Sequence, residues 1–234
     1  MIFKRIKIKV TAAGTLFLFY KNIIGLPVHY MDAGRLLVRV GTTELVFEEF
    51  GLEENSFYHV AFNIPSNKFD EAYRWMKARV RLLRIEDYQS DIAEFTNWNA
   101  RSFYFEDPVG NILEMIARFD REDVATTPFD ATQIRSISEV GIVFPQTTFD
   151  DAVADFMQRY SLKYFDKQKP LPHFRAIGDE EGLFITVPEN RLWYPTRNKL
   201  SKILPVDIQF INGDEDMHYE NTLQPTELKL YNND

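Results

Sequence analysis

Residues 103–116 run Phe103-Tyr104-Phe105-Glu106-Asp107-Pro108-Val109-Gly110-Asn111-Ile112-Leu113-Glu114-Met115-Ile116. Aromatic residues crowd one end, aliphatic residues the other, and turn residues lie between, which is the pattern of two strands joined by a hairpin. The turn has a mechanism, since Pro108 presets φ while Gly110 and Asn111 tolerate positive φ. Glu114 therefore sits on a return strand. A second stretch, Phe57-Tyr58-His59-Val60-Ala61-Phe62-Asn63-Ile64-Pro65, reads as another strand and carries His59. A His on one strand and a Glu on another are the raw material of a metal site, or of an ordinary polar surface.

Working outward, the same order of elements recurs. Ile6, Ile8 and Val10 alternate with Arg5, Lys7 and Lys9 as on a half-buried strand. Leu16, Phe19, Tyr20 and Ile23 are spaced as one face of a short helix, which Gly25-Leu26-Pro27 ends. Three short strands follow at residues 28–31, 36–40 and 44–47. The order returns with a strand at 59–64 and a helix carrying Phe69, Ala72, Tyr73 and Met76, for which Ser66 is the expected N-cap. Strands are then expected at 82–85, 102–106 and 111–117, with a polar loop over 86–99. Residues 121–133, centred on Thr126-Thr127-Pro128, read as a linker.

A third copy is visible as direct self-similarity. At a constant offset of 80 residues His59 aligns with Glu139, and Val60, Pro65, Phe69-Asp70, Ala72 and Arg79 align with identical residues from Val140 to Arg159. Helix and strand register both survive the alignment, as expected of a true repeat. The third unit continues through Tyr164-Phe165, 174–177 and 183–187, and residues 206–210 and 227–231 are further strand candidates. The expected fold is α+β, built of tandem βαβββ modules that form curled mixed sheets with helices on the outer face. Modules 1–50 and 56–119 are expected to pair within 1–120. Residues 134–234 would hold the third module and irregular C-terminal strands.

The 234 residues are 45% hydrophobic and 15% aromatic, enough for a substantial core. A net charge of −8 argues against nucleic acid or an anionic membrane as partner. The absence of cysteine excludes disulfides, thiolate catalysis and Cys-based zinc sites. The first residues alternate charged and apolar side chains, unlike a signal peptide, and no apolar run reaches the roughly 18 residues of a spanning helix. A soluble cytoplasmic protein is expected.

Tandem βαβββ units with a His on an early strand and Asp107-Pro108-Val109-Gly110-Asn111-Ile112-Leu113-Glu114 before a late one resemble the vicinal oxygen chelate superfamily. That superfamily includes glyoxalase I, fosfomycin-resistance enzymes, bleomycin-binding proteins and extradiol dioxygenases. Phe19-Tyr20-Lys21-Asn22-Ile23-Ile24-Gly25-Leu26 resembles its first-module helix end. The resemblance implies a cup between two paired modules, with metal ligands on the first and fourth strands of each. Carried over, those places hold His59 and Glu114 in module two and Glu44 in module one. The remaining place holds Arg5, a departure from the pattern.

His59, Glu114 and Glu44 would suit a divalent ion such as Fe, Mn, Ni, Co or Zn, leaving positions open for a small oxygen-bearing substrate. The implied activity is a metal-dependent lyase or dioxygenase. Arg5 opposes that reading, because it could instead neutralise Glu44 and Glu114 in a salt-bridged cup with no metal. The alternative is accordingly a metal-free protein that binds or sequesters an antibiotic-like small molecule. Arg5, Lys7, Asn63 and Trp98 are candidate pocket residues, with a solvated strand face or core packing as the plainer use of each. Glu139 is expected to be solvated or salt-bridged, with Phe184-Ile185 at the last ligand place. His173 and His218 read as surface or packing residues, while His29, on the strand after the first helix, could face the cup. A third module cannot close a cup alone, so it is expected to pair with the same unit of another chain, giving a homodimer, or with the tail strands.

Overall fold

The computed structural model describes residues 1–51, 56–86 and 89–222. The first unit comprises β1 (Ile2–Val10), α1 (Ala13–Leu18), a π-helical turn (Phe19–Ile23), β2 (Val28–Asp32), β3 (Arg35–Val40) and β4 (Thr43–Glu49). The second comprises β5 (His59–Ile64), α2 (Phe69–Lys77), β6 (Ala93–Phe95), β7 (Ala100–Glu106) and β8 (Ile112–Arg118). The third comprises β9 (Ser136–Phe144), α3 (Phe149–Arg159), β10 (Arg175–Asp179) and β11 (Gly182–Pro188), and a hairpin of β12 (Val206–Asn212) and β13 (Glu215–Asn221) follows. The α+β class and the curled sheets are as expected.

Some local readings change. Residues 82–85 make only isolated bridges, Leu82 to Phe105 and Ile85 to Ser90, and the second unit's short strand is β6, inside the stretch read as polar loop. Arg81 and Arg84 interrupt the apolar run, whereas Ala93 can be buried completely beside β7. Ser66 opens a 3-10 turn instead of capping α2, and its hydroxyl donates to the Asp123 carbonyl. The acidic segment holding His218 is β13, while the strand expected at 227–231 lies outside the described residues.

The pairing of modules differs from expectation. The seven-stranded sheet runs β10-β11-β9-β5-β8-β7-β6, and the six-stranded sheet runs β13-β12-β1-β4-β3-β2. Units two and three therefore share a sheet through antiparallel β5 and β9, with Val60 opposite Val140. Unit one pairs with the C-terminal hairpin through β1 and β12, with Ile6 opposite Ile208. The third unit thus has its sheet partner within the chain, and no second copy is needed to complete it.

The difference follows from how the strands are buried. β5, β8 and β11 are buried at every position, as strands covered on both faces must be. β1 alternates instead, because its Arg5, Lys7 and Lys9 face outward. One face of the seven-stranded sheet packs Phe62, Phe103, Phe105, Met115 and Phe184 into the main core with the other sheet and the helices. The opposite face carries a smaller apolar cluster that includes Trp98, Tyr104, Ile185 and Trp193. The site lies on this second face.

Candidate metal centre

Strand register brings three polar residues together. Ala61 of β5 lies opposite Glu114 of β8 on one side and opposite Glu139 of β9 on the other. Neighbours in register share a face, and His59, two residues from Ala61, shares it too. The small Ala61 side chain leaves room for the three to converge. His59 Nε2 is 3.5 Å from a Glu114 oxygen and 3.8 Å from a Glu139 oxygen, and all three residues are buried.

The second oxygen of each carboxylate is held from outside the cluster. Ser102 Oγ donates to Glu114 Oε1. Arg118 donates from Nη2 to Glu139 Oε1 and to Ser138 Oγ. The Arg118 side chain is itself fully buried, with its guanidinium over Trp98 at 5.2 Å and Phe165 at 5.7 Å. Both carboxylates are thus fixed in rotation with one oxygen directed at the imidazole. Nδ1, the other ring nitrogen, is buried without a hydrogen-bond partner.

Burial and crowding set the protonation of the cluster. Burial alone would push the His59 imidazolium pKa down, but Glu139 and Glu114 outweigh it and the net direction is up. Glu114 is pushed up to about 7, first by burial and then by the neighbouring Glu139 charge. Burial also raises the Tyr104 phenol far above its ordinary range, with Glu114 adding to the effect. Two carboxylates this close in an apolar site resist being charged together.

These residues form the base of a cavity of about 270 Å³. Its walls are largely aromatic, with Phe95, Trp98, Tyr104, Phe174, Trp193 and Tyr194. Trp193 lies 5.7 Å from the His59 ring and is seated over Gly141 of β9. A Cβ at Gly141 would come within 2.6 Å of the indole and 3.2 Å of His59 Cβ. Gly141→Ala is therefore expected to unseat Trp193 at a cost of about 1–2 kcal/mol. A lowered Tm and a changed tryptophan emission would show it; both unchanged would mean that the indole is not packed there.

The expected site residues divide. His59 and Glu114 come together and Trp98 lines the same cavity. Glu44 does not join them: it is on the other sheet, 2.9 Å from Arg39 and 3.6 Å from Arg5. Lys7 is likewise on that sheet and pairs with Asp207 at 2.7 Å. Asn63 is buried, but its amide is spent on Ser136 Oγ and the Glu181 carbonyl and it does not line the cavity. Glu139 takes the place expected of Glu44. The signal for it was present, since the 80-residue offset aligns Glu139 with His59.

No protein-family model matches the chain, and no curated protein does so either. Solved structures do. A "putative dioxygenase" from Bacillus subtilis subsp. subtilis str. 168 superposes with a TM-score of 0.55 at 16% identity, covering 80% of this chain and 63% of that one. The chain shares that structure's fold, as expected from the resemblance of its βαβββ units to the vicinal oxygen chelate superfamily. A lactoylglutathione lyase from Agrobacterium tumefaciens (TM-score 0.39, 15% identity) covers 49% of this chain and 90% of its own. A mutant of the fosfomycin resistance protein FosX from Listeria monocytogenes (TM-score 0.38, 21% identity) covers 50% of this chain and 89% of its own. Among the described residues no helix is long and apolar enough to cross a membrane.

The donor set fits a divalent ion. His59, Glu114 and Glu139 each offer one atom, all within 4.8 Å of one another. Ligands about 2.0–2.2 Å from a first-row metal lie roughly 3.0–3.5 Å apart. The His59–carboxylate distances of 3.5 and 3.8 Å are close to that, while the widest spacing in the set, within 4.8 Å, calls for the two carboxylates to draw together on binding. Carboxylates oriented by outer donors are a recurrent support of metal centres. The fourth place, on β11, is apolar. Leu183 lies opposite Glu139, and Ile185, two residues on, lines the cavity.

Proposed function

We propose that this cavity is a metal-dependent catalytic site of the glyoxalase or dioxygenase type, acting on a small oxygen-bearing molecule. One observation carries the reading: a buried imidazole and two buried carboxylates converge at the base of an aromatic cavity with their outer oxygens already held. A divalent first-row ion bound by His59, Glu114 and Glu139 would supply Lewis acidity toward a substrate oxygen, with positions left open for it. Ser102 and Arg118 keep the carboxylates from rotating away. Trp193 and Tyr104 flank the imidazole and exclude water from it. His59 and Glu114 must lose their protons to serve as ligands, so metal affinity rises with pH through about 7.

Metal content tests this reading. Protein purified without a His-tag or chelator should carry about one equivalent of a first-row metal by elemental analysis. His59→Ala and Glu139→Ala should lose it, while Glu44→Ala should keep it. No bound metal in the wild type, even after Mn²⁺, Ni²⁺ or Fe²⁺ is added back, would retire the catalytic reading.

The Arg118–Glu139 ion pair supports a second reading. With His59 protonated, two cations balance two carboxylates, and the cluster is neutral without a metal. In that state the same cavity would bind or sequester a small molecule without reacting with it.

A further inference from the structure

Arg191 gives the cavity a second polar end. It lines the cavity together with the His59–Glu114–Glu139 base, and it also lines an adjoining cavity of about 230 Å³ with Tyr194 and Arg197. Almost every other guanidinium near this sheet is balanced: Arg118 by Glu139, Arg101 by Glu94 and Asp70, Arg175 by Asp150. Arg191 has no carboxylate within ion-pair distance among the described residues. Glu86 lines the adjoining cavity but does not reach it.

Arg191 is held in place by weaker means. Its guanidinium lies 5.6 Å from the centre of the Phe174 ring, and its Nη1 donates a long hydrogen bond of 3.4 Å to the Leu192 carbonyl. The backbone beneath is rigid. The Arg191 N–H donates to Ser201 Oγ at 3.0 Å, the Ser201 N–H returns to the Arg191 carbonyl at 2.7 Å, and Ser201 Oγ donates to the Pro188 carbonyl at 2.7 Å. Burial disfavours its charged form. A positioned, partly desolvated guanidinium with most of its fork unused among the described residues suits a planar anion.

We propose that the ligand of this cavity is a small, flat, largely apolar molecule bearing one carboxylate or phosphonate, which Arg191 recognises. The aromatic walls accept the body of such a molecule. The anion goes to Arg191, which has no carboxylate partner among the described residues, whereas the groups at the opposite end already answer one another: Ser102 holds Glu114, and Arg118 and His59 hold Glu139. Arg191 is thereby a specificity-determining residue: it selects the charge and direction of the ligand and takes no part in bond making. The proposal deepens the functional reading by naming a substrate class, and it holds whether the base carries a metal or protons.

The test uses matched probes on the full chain. Benzoate, phenylphosphonate and neutral benzamide are titrated by calorimetry and by quenching of tryptophan emission, with Trp98 and Trp193 both in the cavity wall. Each titration is run on protein as purified and again in EDTA, so that a bound metal cannot itself select the anion. Wild-type protein is expected to bind at least one of the two anions ten-fold or more tightly than benzamide in both conditions. Arg191→Gln should abolish that preference while leaving benzamide affinity within two-fold, and Arg191→Lys should restore part of it. The stronger of the two anions then assigns the carboxylate or the phosphonate. Equal affinity for all three probes in the wild type, or a preference that survives Arg191→Gln, would overturn the proposal. A chain that lacks metal yet prefers the anion through Arg191 would overturn only the catalytic reading.

Discussion

Arg118→Met is expected to destabilise the protein by about 3–5 kcal/mol, the usual cost of removing one partner from a buried ion pair. The side chain is among the largest that are fully buried, and the substitution fills most of its volume, so packing contributes little to the loss. What remains is Glu139, buried without its counter-charge and next to Glu114. For a chain of this size the loss should appear as a fall in Tm on the order of 10 °C and a lower urea midpoint. Adding Glu139→Gln to Arg118→Met should recover most of the stability, because the uncompensated charge is then gone. The double-mutant cycle isolates that coupling from the rest of the change. Divalent metal should also rescue Arg118→Met in part if Glu139 is a ligand, since the ion replaces the missing positive charge. A single-mutant loss below about 1 kcal/mol, or a double variant no better than the single, would show that this pair does not hold the cluster together.

That buried arginine was not visible as such in the sequence, whereas much of its surroundings was. The hairpin around Asp107-Pro108-Val109-Gly110-Asn111 forms where turn chemistry places it. Gly110 has a φ of +88°, and Asp107 accepts from the backbone N–H groups of Val109 and Asn111. Unit boundaries were legible because strand and helix periods alternate in a fixed order. Partner choice between units was not, because periodicity within a unit is silent about which first strand pairs with which. One clue lies in the strands themselves. Val60-Ala61-Phe62 and Val140-Gly141-Ile142-Val143 are continuously apolar, as the centre of a sheet covered on both faces requires, while Ile6-Lys7-Ile8-Lys9-Val10 alternates. β5 and β9 belong together on that criterion, and β1 does not.

The same reasoning explains the site. Glu44 was expected there because unit one was expected to supply half of the cup. With unit one in the other sheet, Arg5 and Glu44 answer each other across β1 and β4, where they are in register. The conflict that Arg5 posed for a metal is thereby removed. Glu139 takes the vacant place through the offset that makes it the counterpart of His59, and Arg118, at the end of β8, neutralises it. Arg191 lies outside the repeats, in an irregular segment after β11. No periodic signal marks it, and only the folded chain brings it over the cavity.

In metal-stripped protein, stability is expected to fall as pH rises from 5 to 8, opposite to the trend set by ordinary surface carboxylates. Glu114 is raised from 4.5 to about 7, and Asp107, buried at the β7–β8 turn, is raised from 3.8 to about 6. A carboxyl whose pKa is higher in the folded chain binds its proton more tightly there. Its contribution is largest below the unfolded pKa and is lost as pH passes the folded one. His59 is shifted in the same direction, so it acts in the same sense. The lowered carboxylates Asp32, Glu71, Asp120, Asp130 and Asp207 lie at or near the surface, and their contribution is lost only as pH falls below about 4, outside this window. Glu114 and Asp107 together account for a loss on the order of 4 kcal/mol between pH 5 and pH 8. Tm measured in EDTA across this range should decline by roughly 10 °C. Glu114→Gln, which imitates the protonated carboxyl, should flatten the curve and raise Tm at pH 8. Saturating metal should reverse the slope, because protons and the ion compete for His59 and Glu114. A metal-free Tm that stays level or climbs from pH 5 to pH 8 would mean that the two carboxyls ionise freely, and the crowded, desolvated cluster would have to be redrawn.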